Sequence, residues 1–178
     1  MAQSRGNHNA EMSGENGPPG FELLEHTADI GLRAVGRSLA ELFQNAAWGL
    51  AEVLDADRSP RDGQGRRVAG GGPPRSSRRR ASGGAGVNSR HISLRGATDI
   101  EALLVDWLNE LIVLTEEGRS CVAGLHVQEV SEEGLQADVL LIDCDPPPEG
   151  TELKAATYHQ LSVRQTDDGW VAVVYFDV

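Results

Sequence analysis

Four residues between two short apolar runs carry an imidazole, a hydroxyl and a carboxylate within one turn: His26-Thr27-Ala28-Asp29. Such groups hold cations or move protons, but Thr and Asp also satisfy the exposed amides of an ordinary turn, so both readings stand on spacing alone. The sequence closes on Phe176-Asp177-Val178, directly behind a strongly apolar run. If that run is a strand held in a sheet, its terminal carboxylate and the Asp177 side chain become two fixed anions, half of what calcium or magnesium takes from oxygen donors. If Asp29 lies on an adjacent strand end, three carboxylates converge. Like charges that close need a cation or a proton to offset them.

Lys154 is the only lysine of the chain. It lies in Leu153-Lys154-Ala155-Ala156-Thr157-Tyr158-His159, where strand alternation puts Lys154, Ala156 and Tyr158 on one face and Ala155, Thr157 and His159 on the other. A lysine near three carboxylates balances their charge or reaches a partner's phosphate, and a plain surface lysine fits the same pattern. His8, His91 and His126 have no partner at a telling spacing and read as structural. Cys121 and Cys144 stand 23 apart with no second pair, neither a zinc spacing nor a disulfide framework, and read as small buried apolar residues. No nucleophile elbow, phosphate loop, zinc helix or dinucleotide fingerprint occurs.

The elements that must position these groups follow from periodicity. Phe21 to Leu24 and Gly31 to Val35 read as short strands flanking the polar turn. From Leu39 to Leu54 apolar residues recur at helical spacing, with Ser38 and Glu41 forming a capping box at the start. His91 to Arg95 reads as a strand, and Thr98 with Glu101 as a second capping box opening a helix to about Glu116. That helix buries Ile100, Leu103, Leu104, Trp107, Leu108, Leu111 and Ile112 and turns Glu101, Asp106, Asn109 and Glu110 toward water. Ser120 to Val130, Leu135 to Asp143, Leu153 to Gln165 and Trp170 to Asp177 read as strands, the last two joined by a three-residue turn, Asp167-Asp168-Gly169. Together these predict an α+β protein: an antiparallel or mixed sheet with two main helices packed on one face.

Residues 1–20 and 58–90 are rich in Gly, Ser, Pro or Asn and lack periodicity, which predicts a disordered tail and a disordered insertion within a single domain of residues 21–178. The insertion holds nine of the arginines and one acid, Asp62; the remaining 7 basic and 26 acidic residues leave −19 on the rest of a chain whose net charge is −11. So acidic a body repels phosphate backbones, and direct sequence-specific nucleic-acid binding is not expected. Neither a membrane-spanning run nor a secretory signal is legible, so the expected location is the cytoplasm.

The segments FELLEHTADIGLRAVG (21–36), DIEALLVDWLNELIVL (99–114), LKAATYHQLSV (153–163) and WVAVVYFDV (170–178), with the helix of 38–54, resemble the archease family in the same order along nearly all of the folded chain. The resemblance implies the archease-like fold and a non-catalytic activator of an RtcB-type RNA ligase, promoting guanylylation and multiple turnover in tRNA splicing or RNA repair. It implies a metal site, with calcium the associated ion, at Asp29, Asp177 and Val178, and a role for Lys154. The Arg- and Gly-rich stretch 58–90 departs from the short connection usual in that family. Two rival functions remain on the residues alone. One is a metal-dependent hydrolase or phosphoesterase with His26 or His159 as base; the other is a chaperone-like helper of an RNA-modification enzyme.

Overall fold

Ser38 starts the first helix as its spacing predicts, accepting a hydrogen bond from the Glu41 amide at 3.2 Å, while the Glu41 carboxylate reaches back to the Arg37 amide at 2.9 Å. This helix, α1 (Leu39–Leu54), has the bounds read from periodicity. A computed structural model describes residues 20–25, 30–54, 68–69, 86–144 and 152–178. The second helix, α2 (Ile100–Gly118), is capped differently from the expectation: Asp99, not Thr98, accepts the Ala102 amide at 2.8 Å. Asp99 has the extended backbone of an N-cap residue and sits one step closer to the helix, so its carboxylate reaches the third amide directly.

The strands are β1 (Phe21–Glu25), β2 (Ile30–Gly36), β3 (Val68–Ala69), β4 (Val87–Arg95), β5 (Ser120–Ser131), β6 (Gly134–Asp143), β7 (Ala155–Thr166) and β8 (Gly169–Asp177). They form two sheets instead of one, ordered β3-β1-β2-β8-β7 and β4-β6-β5, with every pairing antiparallel. The connection of β7 to β8 is shorter than expected, because Thr166 already pairs with Gly169. Gly169 has φ +131°, and a Cβ there would stand 2.4 Å from the Gly36 carbonyl oxygen, so only glycine fits. Within 58–90, β3 pairs with β1, and β4 begins at Val87 and pairs with β6. Backbone pairing alone supplies these bonds, which apolar composition does not reveal. Residues 58–67, 70–85 and 1–19 lie outside the described residues.

Each helix touches both sheets, α1 meeting β1, β2, β8 and β5, and α2 meeting β7, β4, β5 and β6. One main core results, with a separate small cluster at Cys121, Ile142 and Cys144. Leu32, Ala34, Ala172, Val174 and Phe176 face it from the five-stranded sheet, Leu135, Ala137 and Val139 from the three-stranded one. Trp107 sits wholly buried between the helices, its indole N–H donating to the Phe43 carbonyl at 3.2 Å. Cys121 and Cys144 are buried as expected but not as free thiols: they form a disulfide with Cα atoms 5.9 Å apart. The β5/β6 register explains it. Cys121 pairs with Ile142, so Cys144, two residues on, comes alongside, a proximity that a spacing of 23 does not disclose.

Candidate functional site

The end of β8 is fixed from both sides. On one side Ile30 pairs with Phe176 and Gly31 with Tyr175; on the other Ala155 pairs with Asp177 and Ala156 with Phe176. Along β8 the even residues Ala172, Val174 and Phe176 are buried, so Tyr175 and Asp177 share the opposite face. Gly31 leaves room for the Tyr175 ring, since a Cβ at 31 would approach Tyr175 Cε1 to 2.9 Å.

Lys154 completes this strand end. Its amide donates to the Asp177 carbonyl at 2.9 Å and its Nζ to the Val178 oxygen at 2.8 Å. Leu153 beside it is fully buried and roots the segment in the core while Lys154 stays exposed. Lys154, Asp177 and Val178, singled out in the sequence, are therefore in direct contact. The Asp177 carboxylate and the Val178 oxygen are hard donors on adjacent exposed residues, a pair that fits a dication, with the ammonium balancing part of their charge. His26 and Asp29 lie outside the described residues. Among the described residues no cluster of three His, Cys, Asp or Glu forms a metal site.

His159 comes near by a different route. The β7 ladder breaks after Thr157↔Tyr175 and resumes at Ser162↔Val173, five steps on one strand against two on the other, so residues 158–161 bulge outward. The His159 ring meets Tyr175 edge to face at 6.2 Å between centroids, and its Nε2 lies 3.0 Å from Gln160 Nε2, a bond the amide donates when that nitrogen carries no proton. Thr157 Oγ1 donates to the Tyr175 carbonyl at 3.1 Å. The bulge overturns the simple alternation read from sequence: Ala156 faces the core, but Tyr158 does not follow it and is 63% exposed.

Helix α2 anchors β7 on either side of the bulge. Asn109 Oδ1 accepts the Ala156 amide at 2.8 Å and Glu101 Oε1 accepts the Val163 amide at 3.0 Å. Both side chains were expected to face water. They serve an edge strand whose outward amides lack a neighbouring strand, a need invisible until the sheet order is known.

A second polar group emerges on the three-stranded sheet, where His91, Asp138 and His126 form one cross-strand row. His91 Nδ1 lies 2.9 Å from Asp138 Oδ1, and Gln128 Nε2 donates to Asp138 Oδ2 at 2.5 Å. The His91 bond is the chief reason the Asp138 carboxyl is held below its ordinary range; burial opposes the shift, while the Gln128 amide and the two imidazoles add to it. Spacing along the chain discloses no pairing for His91 or His126 because their common neighbour is on another strand. Alternation in β6, which sets Asp138 opposite buried Ala137 and Val139, was the available signal.

The sequence profile of the Archease protein family matches residues 21–72 and 81–178. A protein archease of Methanosarcina acetivorans is 32% identical over 164 residues, covering 89% of this chain and 95% of its own length. That of Saccharolobus solfataricus is 30% identical over 162 residues, covering 89% and 98%. In fold, the chain is similar to the solution structure of Methanobacterium thermoautotrophicum protein 1598, with TM-score 0.57, 24% identity and coverage of 89% of this chain and 99% of that one. It is also similar to the crystal structure of an archease, named a possible chaperone, from Thermotoga maritima, with TM-score 0.53, 20% identity and coverage of 87% and 94%. No helix among the described residues is long and apolar enough to cross a membrane.

Proposed function

The chain belongs to the Archease protein family, and we propose that it is a non-catalytic, cation-binding accessory protein that activates an RtcB-type RNA ligase in tRNA splicing or RNA repair. It acts in the cytoplasm by promoting the ligase's guanylylation and multiple turnover. Asp29, Asp177 and Val178 hold a divalent cation, calcium, through oxygen donors. Bound there, the cation would supply positive charge that offsets the repulsion between the carboxylates. Lys154 keeps its hold on Val178 and turns its remaining N–H donors toward a phosphate of the ligase's bound nucleotide.

The observation that supports this reading is the register at the end of β8. Ile30, next in the chain to Asp29, pairs with Phe176, next in the chain to Asp177. The start of β2 therefore lies beside the end of β8, and Asp177 is one covalent step of about 3.8 Å beyond Phe176.

The test is formation of the ligase–GMP adduct from GTP, with and without this protein. Wild type raises the rate, and Asp29→Ala or Asp177→Ala reduces the stimulation by about tenfold or more, as loss of a ligand lowers metal affinity at least that far. Stimulation equal to wild type in both variants removes the site from the mechanism. A second reading, a chaperone-like helper of an RNA-modification enzyme, draws on the name of the Thermotoga maritima protein. It predicts binding to a modification enzyme with no effect on ligation. The hydrolase reading asks His26 or His159 to serve as base at the ion; His26 lies outside the described residues, and the His159 ring is engaged by Gln160 and Tyr175.

A further inference from the structure

Three features meet along the outer edge of the five-stranded sheet. First, residues 158–161 are pushed out of β7, and this is a held conformation: Asn109 grips Ala156 on one side and Glu101 grips Val163 on the other. Second, Gln160 has φ 51°, a left-handed backbone that is unfavourable for a side-chain-bearing residue, strain of the kind that persists at ligand clamps and switch regions. Third, the aromatic ring that the bulge turns out of the core packs on little: Tyr158 is 63% exposed, although regular alternation would have set it beside buried Ala156. A strand that needed only to be stable would have buried that ring.

The neighbouring helix face supplies the charge. Asp106, Glu110, Val113 and Glu117 recur at helical spacing on the side of α2 next to Asn109, the residue that touches β7. Asp106, Val113 and Glu117 are exposed, and no basic residue interrupts the stripe. We infer that the Tyr158 bulge and this acidic stripe form the docking surface for the protein partner, whose matching face is basic and has an apolar pocket for one aromatic ring. A protein that grips RNA carries such basic faces, so the inference rests on the proposed function and identifies the partner as the ligase. Bare RNA is the poorer occupant, because the stripe repels phosphate. In this division Tyr158 sets residence time as a desolvated anchor, and the acids set the rate of encounter.

The experiment measures association and dissociation rates of the full-length protein on an immobilised purified RtcB-type ligase. Tyr158→Ala, which unseats no core contact, is expected to raise Kd by about tenfold or more, mostly through faster dissociation, while Tyr158→Phe stays within about threefold. The triple variant Asp106→Lys, Glu110→Lys, Glu117→Lys is expected to slow association by about tenfold and flatten its salt dependence. At saturating concentration Tyr158→Ala still stimulates guanylylation, whereas Asp177→Ala binds but does not stimulate. Thermal melts of each variant matching wild type assign these changes to the surface. If wild type binds and stimulates while Tyr158→Ala dissociates at the wild-type rate, the docking surface is wrong and the proposed function stands. A wild type that neither binds nor stimulates overturns both. Loss of affinity for a bare RNA oligonucleotide in Tyr158→Ala, with ligase affinity intact, assigns the bulge to RNA and overturns the protein-docking inference.

Discussion

The two sheets treat their polar groups in opposite ways. On the three-stranded sheet the β5 ladder also slips, by one residue at Gln128 beside the His91–Asp138–His126 row, but that side chain and His91 take both Asp138 oxygens within the sheet. On the five-stranded sheet the edge strand β7 breaks its ladder, borrows two acceptors from α2 and turns an aromatic ring outward, two pairs along from Asp177. A polar cluster closed on itself needs nothing further, and an interrupted edge held in place by another element is organised toward something outside it. The proposed function is accordingly assigned to the second region.

The largest effect that sharpens the contrast is removal of Trp107, which seats α2 and through it the β7 anchors. Trp107→Ala should cost about 3–5 kcal/mol, the usual range for a buried aromatic. Hydrogen exchange should then rise in β7 more than in β4 and β6; equal rises in both sheets break the distinction. Next comes Asn109→Ala, which leaves the part-buried Ala156 amide without its acceptor and should cost about 1–2 kcal/mol by denaturant unfolding. Because Ala156 lies two residues from Lys154, this variant should also weaken ligase stimulation, where a remote surface change of equal cost does not. Gln160→Gly should be smaller and of opposite sign. Relief of the left-handed backbone outweighs the entropy glycine adds to the unfolded chain, for a net gain below about 1 kcal/mol in the same measurement.

The smallest effect belongs to the closed cluster. NMR titration should find the Asp138 midpoint below the ordinary carboxylate range, and His91→Ala should return it upward. With its folded pKa depressed, Asp138 contributes stability that is present above the unfolded value and lost as pH falls through the folded one. Ligase stimulation should not change in His91→Ala; a loss there would make the two regions alike.

Much of this was legible in the sequence where one element's own periodicity carries the information. The bounds of α1 and the buried stripe of α2 follow from apolar spacing, and the four resembling segments pointed to the family and its fold. What was not legible depends on partners far along the chain. The disulfide, the His91–Asp138 pair and the roles of Asn109 and Glu101 all arise from strand register and sheet order, which no local pattern encodes. The β7 bulge was hidden for a related reason: TYHQL continues the strand composition, and only the pairing with β8 exposes the extra residues. Within the candidate site, the contact of Lys154 with Asp177 and Val178 follows from the β7–β8 pairing, which alternation along either strand does not disclose.

The account turns on whether a dication is shared across the end of β2 and β8, and anomalous scattering from crystals grown in calcium measures that directly. The account predicts one peak about 2.3–2.6 Å from carboxylate oxygens of both Asp29 and Asp177, with the Val178 oxygen in the same sphere. Calcium found only elsewhere on the surface, or no peak at this strand end at saturating calcium, contradicts it.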